Sequence, residues 1–217
     1  SPRVFRSFSM LRRFLDRERV DLIHANTRVT QFLAMLLSRS IGVPYVSTFH
    51  GHYRPRLFRR IFKCAGFRTI AISQDVALHL ERDLHIPREK IRVVYSGVDE
   101  ATYRPPLSRE ASRRKFGINN GDVVVGILAR LTPEKNHKTV LEAFGLFVKD
   151  YPRATLILGG EGRLEGSLRS WVEERGLGKR VHFLQGFFAG HLIPSFDISV
   201  LPSIKEGFGL SVLECQL

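Results

Sequence analysis

Apolar residues along this chain follow two rhythms. Short runs rich in aliphatic and β-branched residues, at 21–24, 44–48, 69–72 and 91–95, alternate with longer stretches of helical period at 29–41, 56–66 and 74–84. An irregular stretch at 96–120 interrupts them, with Pro105 next to Pro106 and the turn sequence Asn119, Asn120, Gly121. The alternation then resumes. Strands are predicted at 123–128, 155–158, 181–184 and 198–201, and helices at 138–149, at 164–175 and from about Gly209 onward. Several apolar runs, 123–128 above all, lack the in–out alternation of a half-exposed sheet, as expected of strands covered by helices on both faces. The spacing therefore predicts an α/β protein with two Rossmann-like, doubly wound parallel-sheet domains, over 1–104 and 122–217, joined by a linker over 105–121. The first half opens on a basic amphipathic helix at 1–19 with no strand before it, and the last helix stops at Leu217. Both domains are thus expected to be incomplete, and the chain to be truncated at both ends.

Composition narrows the class. At 217 residues and 43% hydrophobic content the chain can bury one large core or two modest ones. Its longest apolar stretches fall far short of the ~20 residues that cross a bilayer, and 1–19 lacks the apolar centre of a secretory signal, so a cytoplasmic location is expected. Two cysteines, Cys64 and Cys215, with no CxxC pair, argue against a disulfide framework or a structural zinc site. Lys+Arg 34 against Asp+Glu 21 gives a formal charge of +13, a field that draws nucleotide phosphates, nucleic acid or acidic lipid alike.

Two loops carry candidate chemistry. Arg130 and Lys135 fall between a predicted strand and helix, at the end of the sheet where ligands of such folds bind. Isolated loop cations are usually just solvated, but an arginine can grip two phosphate oxygens and a lysine one. The second loop runs from Ser203 into the last helix. Gly207 and Gly209, with Phe208 between them and Leu210 after, let backbone N–H groups approach an oxyanion at a helix start. Glu206 lies in that turn. Glu214 follows five residues after Gly209, ~7.5 Å along a helix, a distance that suits a ribose. A glycine turn opening an ordinary packed helix is the competing explanation. In the first half, His50 follows a predicted strand and would face ligand from there, with a capping or core histidine as the competing explanation; His24 sits similarly.

Taken together, Arg130, Lys135, Glu206 and Glu214 resemble the group 1 glycosyltransferases, the retaining enzymes of glycosyltransferase family 4 type and GT-B fold. The glutamates match that family's pair spaced by seven residues. Further matches are Gly159-Gly160-Glu161-Gly162, residues 181–186 and 196–203, and Val94 to Asp99 in the first half. The resemblance implies a metal-independent, retaining transfer of a sugar from a nucleotide diphosphate sugar to a carbohydrate or lipid-linked acceptor, in bacterial cell-envelope polysaccharide or glycolipid synthesis. It implies that Arg130 and Lys135 hold the donor diphosphate and that Glu214 holds the ribose. Glu206 and the 207–210 backbone would take the transferred sugar and its phosphate, and His50 would touch the donor. No bound cofactor is implied, and the 1–104 half becomes the acceptor side. The resemblance also implies a glycine-rich loop ahead of Ser1, and strands and a returning helix after Glu214, which are expected to lie outside this sequence.

No DxD pair or metal-spaced His/carboxylate cluster occurs, so leaving-group charge is assigned to the two cations rather than to a divalent ion. A nicotinamide dehydrogenase would need GxGxxG after a strand, which 159–162 does not supply. A non-enzymatic basic fragment binding nucleic acid or a membrane surface is the alternative, but the arginines spread over both halves instead of lining one groove with aromatics. Arg54, Arg56, Arg59, Arg60 and Lys63 interleave with Leu57, Phe58, Ile61 and Phe62, a pattern that fits either peripheral docking on the inner, anionic membrane face or a solvated surface over a packed core. Donor base, acceptor identity and oligomeric state are not encoded legibly.

Overall fold

The computed structural model describes residues 2–53, 61–103 and 107–217. Residues 56–60 of the stretch read as a helix over 56–66, and all four arginines of its basic, aromatic pattern, fall outside those residues; 62–65 is not helical. Among the described residues the strands form two four-stranded sheets, and every pairing is parallel. The chain divides into two compact units, Ser1–Ser96 with Glu206–Phe208, and Gly97–Lys205 with Gly209–Leu217.

The first unit starts with α1 (Pro2–Arg17), then β1 (Ile23–Ala25) and α2 (Arg28–Ile41). Local chemistry sets the limits of α2. Thr27 caps its amino end in a capping box with Thr30, and Gly42, in the left-handed region at φ 76°, closes its carboxyl end. β2 (Tyr45–Phe49), β3 (Arg68–Ala71), α3 (Gln74–Arg82) and β4 (Ile91–Val93) complete the unit in the order β1-β2-β3-β4. Ser73 caps α3, whose Val76, Ala77 and Leu80 pack with Phe49, Ala71 and Ile91 in a buried cluster that also receives Phe208.

The second unit holds α4 (Glu100–Tyr103), α5 (Arg109–Lys115), β5 (Val123–Leu128), α6 (His137–Asp150), β6 (Ala154–Gly159), α7 (Glu165–Glu174), β7 (Val181–Leu184), α8 (Ala189–Leu192), β8 (Ile198–Ser199) and α9 (Leu210–Glu214). Every residue of β6 is buried, as are the four central residues of β5, so these strands read as unbroken apolar runs. The sheet order is β7-β6-β5-β8. Successive strands thus add on one side of β5 before the chain crosses to its other side, which creates a switch point at the carboxyl ends of β5 and β8.

The segment 105–121 differs from the linker expected of it. It contains α5, capped by Ser108, and α5 belongs to the second unit, which begins at Gly97. Arg113 on α5 is 0% exposed. Its guanidinium donates to the carbonyls of Ser195 (3.1 Å), Asn120 (2.7 Å) and Asp122 (3.1 Å), and to Asp197 Oδ2 at 2.7 Å. Arg109 also bonds Asp197, which accepts the Val124 N–H at 2.7 Å. Hence the two-residue strand β8 is held on β5 by a buried cation as well as by its short ladder.

Candidate functional site

The loop after β5 is held by main-chain bonds on both sides of Arg130. The Ala129 N–H donates to Gly159 O (3.0 Å) and the Leu131 N–H to Glu161 O (2.9 Å), while Leu131 O accepts from Leu164 N–H (3.1 Å). This proximity requires missing side chains. A Cβ on Gly160 would lie 2.2 Å from Ala129 O, and one on Gly162 would lie 2.4 Å from Leu131 O. Leu131 is fully buried beneath, so the exposed Arg130 side chain leaves a fixed backbone. Residues 130, 160–162 and 185–187 line an open depression of ≈ 560 Å³ at the carboxyl ends of β5, β6 and β7.

A short 3₁₀ turn (Pro133–Lys135) and Asn136, at φ 53°, then lead into α6, whose amino end has no side-chain cap. Its first two N–H groups, of His137 and Lys138, have no intrahelical carbonyl to reach, whereas that of Thr139 donates to Asn136 O at 3.2 Å. Lys135 is half-buried two residues before that helix. The Glu134 carboxyl is held below its ordinary value, first by hydrogen bonding to its own backbone, then by Thr132 and by the charges of Arg130 and Arg163. Arg163 is therefore a third cation bearing on this loop, one that the sequence reading missed. His137, the first residue of α6, is 1% exposed; burial first, then the Lys135 charge, pushes its pKa down. Neither ring nitrogen has a hydrogen-bond partner among the described residues.

The loop after β8 meets the same turn, because the Ile204 N–H donates to Glu134 O at 2.9 Å. Gly209 (φ 82°) opens α9, and Glu214 is the last residue of that helix. Arg130, Lys135, Gly209, Leu210 and Glu214 thus share the second unit, around its switch point. Glu206, Gly207 and Phe208 cluster instead with the first unit, where His50 lies. There a Cβ on Gly207 would come within 2.5 Å of His50 O, and the Phe208 ring lies 6.2 Å from that of Tyr95. The exposed His50 follows β2 directly, whereas His24 lies within β1 and bonds Thr48 Oγ1 through Nε2 at 2.8 Å. Among the described residues no group of three His, Cys, Asp or Glu is placed to hold a metal ion, and no helix is long and apolar enough to cross a membrane.

Similarity to known proteins agrees with this geometry. The chain is 28% identical to the putative glycosyltransferase EpsD of Bacillus subtilis, over 98% of the chain and 60% of that protein. It is 27% identical to the UDP-Gal:alpha-D-GlcNAc-diphosphoundecaprenol alpha-1,3-galactosyltransferase of Escherichia coli, over 97% of the chain and 59% of the enzyme. The chain therefore spans about 60% of the length of such relatives. Anabaena Alr3699/HepE, crystallised with UDP and glucose, superposes with a TM-score of 0.84 at 24% identity, covering 99% of this chain and 60% of that one. The fold is thereby that of the GT-B glycosyltransferases, two Rossmann-like α/β units with parallel sheets. The family model for Glycosyltransferase Family 4 matches residues 1–102, that for Glycosyl transferases group 1 matches residues 108–216, half of the chain, and the chain belongs to the group 1 glycosyl transferases.

Proposed function

We propose that this chain serves transfer of a sugar from a nucleotide diphosphate sugar to a carbohydrate or lipid-linked acceptor, in assembly of a bacterial envelope polysaccharide or glycolipid. The observation that carries the reading is Arg130 and Lys135 on a backbone-pinned loop at the switch point of the second sheet. A diphosphate gains negative charge as the sugar leaves, and cations fixed before the reaction stabilise that charge without reorganising. In this reading Arg130 and Lys135 hold the diphosphate. Glu214 takes the ribose hydroxyls, and the base enters the depression beside Gln185 and Phe187. Glu206, with the backbone of Gly207, Phe208, Gly209 and Leu210, holds the sugar and its phosphate, and His50 contacts the sugar. The two cations carry the charge that a divalent ion supplies in metal-dependent transferases, so the reaction is expected to run undiminished in EDTA. The anomeric configuration is retained. Peripheral docking of the cytoplasmic protein on anionic lipid accompanies the reading; the formal charge of +13 is compatible with it as with other anions, and cosedimentation with anionic vesicles at low salt tests it.

The principal test is a thermal-shift and turnover screen of UDP-, GDP- and ADP-sugars with the full-length protein, repeated with Arg130→Ala and Lys135→Ala. One sugar nucleotide should stabilise and turn over, and each variant should lose on the order of 10²–10³ in kcat. Full turnover in both variants refutes the assignment of the cations. Proton NMR of the first-formed product reads the anomeric outcome.

A further inference from the structure

The stretch that leaves β2 after His50 is tied to α3 at two points. His52 Nε2 lies 2.7 Å from Asp75 Oδ2, in the first turn of α3. The Tyr53 backbone N–H donates to His79 Nε2 at 3.0 Å. A main-chain N–H can only donate, so Nε2 of His79 carries no proton. The ring proton therefore sits on Nδ1, where Asp83 Oδ2 accepts it at 2.6 Å. The two imidazoles stand 5.0 Å apart. His79 is 9% exposed, on a helix whose Val76, Ala77 and Leu80 are buried to 1% or less, so the acceptor is mounted on a rigid post. Tyr53 also sets its ring edge-on to Phe49, at 5.6 Å between centroids. His50, two residues before His52, keeps its side chain exposed while its carbonyl abuts Gly207.

We propose that His79 is a positioning residue for sugar transfer: through the Tyr53 N–H it fixes the 50–53 turn, and with it the placement of His50 beside Gly207. Asp83 sets the tautomer that makes Nε2 an acceptor, and the His52–Asp75 pair is the second tie. The inference rests on the proposed contact of His50 with the donor sugar. Its physical basis is that a half-buried main-chain donor needs a fixed acceptor, and that a shift of about 1 Å in a contacting group costs on the order of 10²-fold in rate.

The test compares His79→Leu, which removes the acceptor, with His79→Gln, whose amide oxygen restores one, in the full-length protein. Hydrogen exchange of the Tyr53 amide is read beside kcat and donor KM. His79→Leu should speed exchange at Tyr53 and lower kcat by roughly 10- to 100-fold with KM changed less than about threefold; His79→Gln should recover most of both. In the pair with His50→Ala, the double variant should be no slower than His50→Ala alone, because one residue acts through the other. Additive losses, or equal losses in the Leu and Gln variants with Tyr53 exchange unchanged, overturn the positioning role. If His50→Ala alone retains full turnover, the donor contact of His50 fails and the positioning role falls with it. Wild-type protein that turns over no sugar nucleotide refutes the transferase reading itself, an outcome identified by that control before any variant is compared.

Discussion

Replacing Arg113 by methionine removes a charge that the second unit has built around while keeping most of the apolar stem. Three carbonyls, of Ser195, Asn120 and Asp122, lose their donor, and Asp197 keeps only Arg109 and the Val124 N–H among the partners described above. Breaking one side of a buried ion pair typically costs ~3–5 kcal/mol, against a total stability of ~5–15 kcal/mol for a domain. The loss should therefore be visible without abolishing folding. Trp171, the protein's one tryptophan, lies on α7 and packs against the second unit's core, so its fluorescence reports this unit. For a slope of ~2 kcal/mol per molar urea, the midpoint should fall by about 2 M. Combining Arg113→Met with Asp197→Asn should cost less than the two single losses added, since each already breaks the same pair. A midpoint shift below ~0.5 M, or strict additivity, would refute the view that this cation holds β8 against β5.

Three further outcomes follow from the geometry. Burial raises the Asp197 carboxyl, but the Val124 N–H, Arg109 and Arg113 outweigh it and hold the group below the ordinary aspartate value. The unfolded chain takes up that proton near pH ~3.9 and the folded chain only lower, so this contribution is complete above ~4 and is lost as pH falls through the folded value. Urea titrations from pH ~5 to ~3 should show a shallower decline for Asp197→Asn. His137 acts in the same direction at higher pH for a different reason: burial disfavours its charged form in the fold, so the unfolded chain takes up the proton first and stability should drop as pH falls below ~6.5. His137→Leu should flatten that slope and cost under ~1 kcal/mol at pH 8, and a loss above ~2 would show that the ring nitrogens make bonds of consequence. Gly160→Ala puts a methyl group 2.2 Å from Ala129 O at φ 147°, so it should displace Arg130 and abolish the thermal shift with the donor nucleotide. An unchanged shift contradicts the close-approach argument.

The sequence made the central strands legible because burial on both faces leaves nothing for polar residues to do. β5 falls where the unbroken run at 123–128 placed it, and β6 extends the run at 155–158 by one residue at each end. α2 was legible through its helical period. α5 was not, since its residues, Arg109 to Lys115, show no apolar stripe and the helix is anchored by a buried arginine, which hydrophobic periodicity cannot register. Helices of four residues, α4 and α8, are too short to carry a period. At the site, the loops bearing Arg130, Lys135 and Gly209 were readable from strand, turn and helix order. The attachment of Tyr53 to His79 was not, because it joins residues 26 apart through a backbone group that has no sequence signature. Nor did the spacing of Glu206 and Glu214 show that they fall in different compact units.

The pinning of residues 129–131 to 159–164 is made of main-chain bonds and missing methyl groups, so it does not depend on an exposed side chain of the depression such as that of Gln185. Gln185 is exposed, whereas Phe187 packs against the buried cluster of Ile118, Val124, Ile157 and Leu192 and sets its ring beside Gly159. In the proposed reading, the position of the arginine on the diphosphate is therefore set by backbone geometry, and the exposed Gln185 is the lining position at which a change of residue would alter contact with the base and leave that backbone in place.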